Sequence, residues 1–191
     1  MKAIETRIPG VFIIEPDVHK DARGYFYESF NLREFESKVA PVTFVQDNES
    51  RSCYGVVRGL HFQAPPFAQA KLVSVAVGEV LDVAVDIRKG SPTFGEHVAV
   101  RLSSENHRRL YIPKGFAHGF SVLSEQVIFQ YKCDAYYEPS SEGGIAWNDP
   151  ALGIDWMIPP EDVILSEKDS HRKNLSEAGT PFIYNISDIR K

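Results

Sequence analysis

The chain has 191 residues, 43% hydrophobic and 25% charged, the proportions of a globular protein and not of a disordered one. Lys and Arg number 21 against 26 Asp and Glu, a net charge of −5, which argues against a nonspecific nucleic-acid binder with its basic face. A few local cations can still hold a phosphorylated small ligand on such a protein. At this length one domain over residues 1–191 is expected. The start, Met1-Lys2-Ala3-Ile4-Glu5-Thr6-Arg7, lacks the apolar core of a signal peptide. No apolar run approaches the roughly 18 residues of a membrane span. The expectation is a cytoplasmic protein without membrane contact. Cys53 and Cys133 each sit in a strand-like run and read as buried free thiols of a reducing compartment.

In chain order, short runs predict strands at Val11–Ile14, Tyr25–Phe30 and Val42–Gln46. Between them a helix is predicted over Leu32–Lys38, with Asn31 as its cap and Glu34 at the third position. Strands follow at Val56–Phe62 and Leu72–Val77. Leu81, Val83, Val85 and Ile87 then alternate with Asp82, Ala84 and Asp86. Val98, Val100 and Leu102 alternate with His97, Ala99 and Arg101, and Arg109–Ile112 is a further short run. Val127, Phe129 and Tyr131 alternate with Ile128, Gln130 and Lys132. A period of two puts one set on each strand face, so Tyr131 shares the face of Val127 and Phe129. Ser166-Glu167-Lys168-Asp169 repeats the capping pattern. Gly and Pro punctuate the runs. Many short strands with little helix predict an all-β sandwich or barrel and disfavour a doubly wound α/β fold. The stretch 170–191 carries no functional reading.

Two segments hold most of the chemistry-bearing residues. The first is Arg58-Gly59-Leu60-His61-Phe62-Gln63; the second is Pro113-Lys114-Gly115-Phe116-Ala117-His118-Gly119-Phe120. The second resembles the Pro-x-Gly-x-x-His motif of the cupin superfamily, and the stretch from His61 to Gly78 occupies the place of the first cupin motif. Cupins are double-sheet jelly-roll barrels, in agreement with the strand pattern. Metal-binding cupins use a His-x-His pair, a Glu and a later His. Here Gln63 stands for the second His, and Lys71 lies where the carboxylate belongs. A cation repels a metal, and the donor set is incomplete. The expectation is a metal-free pocket containing a His, an Arg and a Lys.

An ordered set of motifs resembles the dTDP-4-dehydrorhamnose 3,5-epimerase family. It begins with Asp21-Ala22-Arg23-Gly24-Tyr25-Phe26-Tyr27-Glu28 and Phe44-Val45-Gln46-Asp47-Asn48. It continues through Val57–Gln63, Gly78–Arg88, Ser91-Pro92-Thr93-Phe94-Gly95, Ile112–Phe120 and Tyr131-Lys132-Cys133. It closes with Ser141-Glu142-Gly143, Trp147-Asn148-Asp149-Pro150 and Leu165-Ser166-Glu167-Lys168-Asp169. Each motif is weak alone; their order over about residues 8–170 is specific.

The resemblance implies an enzyme that inverts C3 and C5 of dTDP-4-keto-6-deoxy-D-glucose by proton transfer beside the ketone, without a cofactor. His61 is the implied base, Asp169 the carboxylate that orients it, Tyr131 the acid on the opposite face, and Lys71 the cation near the enolate oxygen. Arg23, Arg58, His118 and Lys168 are implied donors to the diphosphate or its sugar. Gln46, Asn48, Glu28 and Glu142 would serve base, ribose or hexose hydroxyls, and Phe26 and Tyr137 would contact thymine. Arg23, Phe26 and Glu28 would reach the neighbouring subunit of a homodimer. Taken alone, His61 reads as a core histidine and Tyr131 as a buried aromatic. Asp169 alone reads as part of a helix cap, and Lys71 as a solvated strand-edge charge. His19, His97, His107 and His171 fit no motif and read as surface or loop residues. The rival readings are an epimerase of one centre only, a metal-dependent cupin oxygenase and a non-catalytic sugar binder.

Overall fold

The computed structural model describes residues 1–185. The end of the 170–191 stretch, residues 186–191, lies outside the described residues. The strands are β1 (Lys2–Glu5), β2 (Phe12–Glu15), β3 (His19–Asp21), β4 (Gly24–Phe26), β5 (Gln46–Cys53), β6 (Val57–Gln63) and β7 (Lys71–Val77). They continue with β8 (Glu79–Asp86), β9 (His97–Ser103), β10 (Arg109–Ile112), β11 (Phe116–Val122), β12 (Gln126–Cys133) and β13 (Glu142–Gly144). Helices are α1 (Leu32–Lys38), α2 (Glu167–Ser170) and α3 (Leu175–Ala178).

A six-stranded sheet, ordered β1-β2-β10-β7-β12-β5, faces a five-stranded sheet, ordered β13-β6-β11-β8-β9. All their named pairings are antiparallel. The result is the jelly-roll barrel that the cupin motifs imply. A separate hairpin joins β3 to β4. Between the sheets, Val73, Val75, Val127 and Phe129 meet Val80, Ala84, Phe116 and Phe120. The rings of Phe120 and Phe129 stack at 4.1 Å. Burying each such side chain stabilises by about 1.5–3 kcal/mol.

Both sheets are also covered outside. Phe35 of α1 packs on Ile14, Leu72 and Tyr111; α1 starts as predicted, with Asn31 accepting from the Glu34 backbone N–H. On the other sheet, Leu81, Val83, Val85 and Ala117 pack under Ile145, Leu152, Trp156 and Leu175. The apolar set of β8 therefore faces this outer layer, and its alternates Val80, Asp82 and Ala84 face the barrel interior. The β11 strand is buried at every position because both of its faces are covered, so it shows no alternation.

Several expectations are corrected. Of the predicted strand Val42–Gln46 only Gln46 is strand; the Val45 N–H still donates to the Cys133 carbonyl at 2.8 Å, while Val42 and Phe44 pack against the α1 cluster. The strand there starts at Gln46. The predicted Tyr25–Phe30 strand shrinks to β4. Cys53 is exposed while Cys133 is buried, because Cys53 ends β5, at the edge of its sheet. His107 is buried at 8% exposure, its ring packed on Tyr25 at 4.7 Å and Tyr27 at 5.0 Å. Lys71 is not at a strand edge, since β7 lies between β10 and β12.

Candidate active site

The barrel encloses a cavity of about 650 Å³. Eleven predicted residues line it: Gln46, Asn48, Arg58, His61, Lys71, His118, Tyr131, Tyr137, Glu142, Lys168 and Asp169. They come from β5, β6, β7, β11, β12, β13 and α2, together with Tyr137 in the segment between β12 and β13. On β5 the inward set is polar: Gln46, Asn48 and Ser50 line the cavity, while the residues between them are exposed.

His61 projects from β6, and its Nε2 lies 2.5 Å from Asp169 Oδ1. Asp169 is buried at 4% exposure in the first turn of α2. Its backbone N–H donates to Ser166 Oγ at 3.1 Å, so the capping reading is correct for the backbone while the carboxylate turns to His61. Burial pushes the Asp169 pKa up. The opposing hydrogen bonds from His61, Ser166 and the Gly59 backbone win, and hold it below the usual carboxylate value. An ionised carboxylate only accepts, so the facing Nε2 carries a proton, and in the neutral ring Nδ1 is the nitrogen that holds the lone pair.

Tyr131 sits on β12 beside Phe129, as the periodicity predicts. Burial raises its pKa, which keeps the phenol protonated. Lys71 Nζ lies 5.9 Å from the Tyr131 ring centroid; burial lowers its pKa, against the opposing pull of Cys133, Asp82 and Glu142. The Cys133 thiol, between Lys71 and Asn48, is pushed up to about 11 by burial.

A second His–carboxylate pair escaped the sequence reading. His118 Nε2 lies 2.9 Å from Asp82 Oδ2, and both residues are buried. Burial lowers the His118 pKa, with Asp82 pulling the other way. The signal was available: Asp82 alternates with the apolar set of β8, and a charged residue on a doubly covered strand needs a partner. The β6–β11 crossing that brings His61 beside His118 depends on two glycines. A Cβ on Gly119 would lie 2.6 Å from the Arg58 carbonyl oxygen, and Gly59 has φ +128°.

Gln63, which replaces a metal-binding histidine, is committed elsewhere. Its Nε2 donates to the carbonyls of Phe67 at 2.7 Å and Tyr136 at 3.2 Å, and its Oε1 accepts from the Glu138 N–H at 2.7 Å. Among the described residues no three His, Cys, Asp or Glu side chains converge as metal ligands.

At the rim, Glu142 accepts from the Tyr137 hydroxyl at 2.7 Å and from Lys168 Nζ at 2.5 Å. Burial raises its pKa, and the bonds from Lys168 and Tyr137 more than offset that. Gln46 Oε1 accepts from the Tyr137 N–H at 2.9 Å. Arg58 Nε donates to Ser52 Oγ at 3.1 Å. Three predicted residues are not brought to this cavity. Arg23 and Phe26 belong to the β3–β4 hairpin and line a separate surface depression; Arg23 pairs with Asp21 at 2.6 Å and Phe26 is 71% exposed. Glu28 follows the hairpin and accepts from Asn31 Nδ2 at 3.1 Å.

A jelly-roll cavity that holds a His–Asp pair, a protonated tyrosine and a lysine defines a cupin equipped for acid–base chemistry. The family described as dTDP-4-dehydrorhamnose 3,5-epimerase matches residues 5–177. The dTDP-4-dehydrorhamnose 3,5-epimerase of Salmonella typhimurium is 57% identical over 181 residues, 93% of this chain and 97% of the relative. A solved dTDP-6-deoxy-D-glucose-3,5-epimerase from Legionella pneumophila, in complex with dTDP-4-keto-L-rhamnose, superposes with a TM-score of 0.91 at 52% identity. That match covers 96% of this chain and 98% of the solved one. The epimerase structure from Elizabethkingia anophelis gives 0.88 at 50% identity, covering 94% and 99%. The chain belongs to the dTDP-4-dehydrorhamnose 3,5-epimerase family.

Proposed function

We propose that the chain converts dTDP-4-keto-6-deoxy-D-glucose to dTDP-4-keto-L-rhamnose by inverting C3 and C5. The observation that carries the reading is the His61–Asp169 pair, 2.5 Å apart, in the same cavity as Tyr131 and Lys71. Both reacting carbons flank the C4 ketone, so loss of a proton from either gives an enolate. His61 takes that proton at Nδ1, and Asp169 stabilises the imidazolium formed. Lys71 stabilises the enolate oxygen, where a charge held in a dry site acts strongly. Tyr131 returns a proton to the opposite face, which inverts the centre. The ketone is already in the substrate, so the proton transfers need no redox cofactor.

Arg58, His118 and Lys168 serve the diphosphate or its sugar, Gln46, Asn48 and Glu142 the polar edges of base and sugars, and Tyr137 the thymine face. The remaining substrate residues, Arg23, Phe26 and Glu28, act in the cavity of a second copy, which makes the working unit a homodimer with shared sites. The exposed hairpin that carries Arg23 and Phe26 supports this. A single domain and a cytoplasmic setting belong to the same reading.

The test is incubation with dTDP-4-keto-6-deoxy-D-glucose and NMR assignment of the product's configuration. The L-rhamno product is expected. Inversion at one carbon would make this a single-centre epimerase of another deoxysugar route, and unchanged substrate would overturn the reading.

A further inference from the structure

Arg172 follows α2 and belongs to none of the motifs quoted above. Its Nη2 donates to Glu142 Oε1 at 2.7 Å. Lys168 Nζ reaches the same oxygen, and the Tyr137 hydroxyl reaches Oε2. The Glu142 carboxylate thus has three partners. Two are loosely held: the Lys168 side chain is 57% exposed and Tyr137 is 52% exposed. The Arg172 side chain is only 16% exposed.

Its position is closely confined. A Cβ on Gly144 would lie 2.7 Å from Arg172 Nε and 2.8 Å from Cζ, so the guanidinium lies against β13 where glycine alone leaves room. The backbone on either side is tied down as well: the Arg172 N–H donates to the Asp169 carbonyl at 3.4 Å, and the Lys173 carbonyl accepts from the Ala146 N–H at 2.8 Å. A planar guanidinium seated this way is pre-organised for a carboxylate as a flexible ammonium is not.

We propose that Arg172 is a positioning residue for the nucleotide: it fixes the Glu142 carboxylate, and through it the Tyr137 ring and the Lys168 ammonium, in the pose that accepts dTDP. The proposal rests on the reading of this cavity as a nucleotide-sugar site. Arg172 makes no contact with the His61–Asp169 pair through its guanidinium, so its loss acts on binding and leaves the proton transfers largely intact.

The experiment is a double-mutant cycle on the full chain, with dTDP as the probe and calorimetric Kd as the readout, alongside KM and kcat for the keto sugar. R172M weakens dTDP binding by about tenfold and raises KM to match, while kcat falls less than about threefold; R172K, which keeps the charge and loses the planar, confined guanidinium, falls between. E142Q also weakens binding, and R172M adds almost nothing in the E142Q background, because residues acting as a unit are not additive. A purely structural clamp would lower the melting temperature and leave the dTDP Kd of R172M at the wild-type value, or give effects that multiply in the double mutant; either overturns the proposal. If R172M does not fold, the R172K–E142Q cycle decides by the same criterion. A wild-type chain that binds no dTDP overturns the nucleotide-sugar reading and this inference together. Wild-type binding without coupling overturns the role of Arg172 alone.

Discussion

At the residue scale the chemistry turns on which atoms are free. His61 Nε2 is engaged by Asp169, so the base is Nδ1, and the carboxylate sets that tautomer. D169N presents an amide in its place, and we expect activity to fall by about 10²–10⁴, the range general acid–base catalysis contributes. The lowered Asp169 pKa also has a sign in stability. A carboxyl held below its unfolded value contributes stability above the ordinary carboxylate range, and that contribution is lost as pH falls through the folded pKa. Urea midpoints should therefore fall more steeply in wild type than in D169N as pH drops below about 4; parallel curves would remove the pairing. Tyr131 makes a separable prediction. Y131F retains the base, so solvent deuterium still exchanges into recovered substrate, while inverted product falls by about 10²-fold or more. Equal loss of exchange and inversion would place Tyr131 elsewhere in the mechanism. That His61, Asp169 and Tyr131 belong to one site was legible through the ordered motifs, and Lys71 through the place of the first cupin motif; all four line the cavity. The Asp82 partner of His118 was signalled only as a charge on a covered strand, and the Arg172 partner of Glu142 not at all, because no quoted motif ties Asp82 to His118 and Arg172 lies outside every motif.

At the element scale, apolar alternation located β8, β9 and β12, short apolar runs located β7 and β10, and the Asn31 cap located α1. It failed on β5, whose sequence Gln-Asp-Asn-Glu-Ser-Arg-Ser-Cys alternates in burial but not in hydropathy, because its inward face lines the cavity. The same cause displaced the predicted strand onto the apolar Val42–Phe44, which serves the α1 cluster instead. The β11 strand escaped because it is covered on both faces. Strand β11 meets β6 at the Gly59–Gly119 crossing, where the backbones leave no room for a methyl group. G119A should cost about 1–3 kcal/mol, the usual penalty of overpacking, and weaken dTDP binding by shifting His118 and Arg58. Urea denaturation and calorimetry check both effects; a wild-type midpoint would show that the crossing yields more easily than the geometry states.

At the scale of the whole molecule, Arg23, Phe26 and Glu28 lie away from this chain's own cavity, which supports the proposed homodimer in which they serve the neighbouring copy. Shared sites make a distinctive prediction. R23A and H61A are each nearly inactive alone, yet mixing them after unfolding and refolding restores activity to about a quarter of wild type, because half the dimers pair one variant with the other and each carries one intact site. No recovery would place the hairpin outside the active site. In the proposed reaction His61 removes a proton from each carbon beside the ketone. Incubation with dTDP-4-keto-6-deoxy-D-glucose in heavy water, followed by proton NMR of the sugar, tests it directly. We expect deuterium at both C3 and C5 with the wild-type chain and at neither with H61A, whose affinity for dTDP falls far less than its turnover. Exchange that persists in H61A, or a wild-type sugar that keeps both protons, would contradict the account.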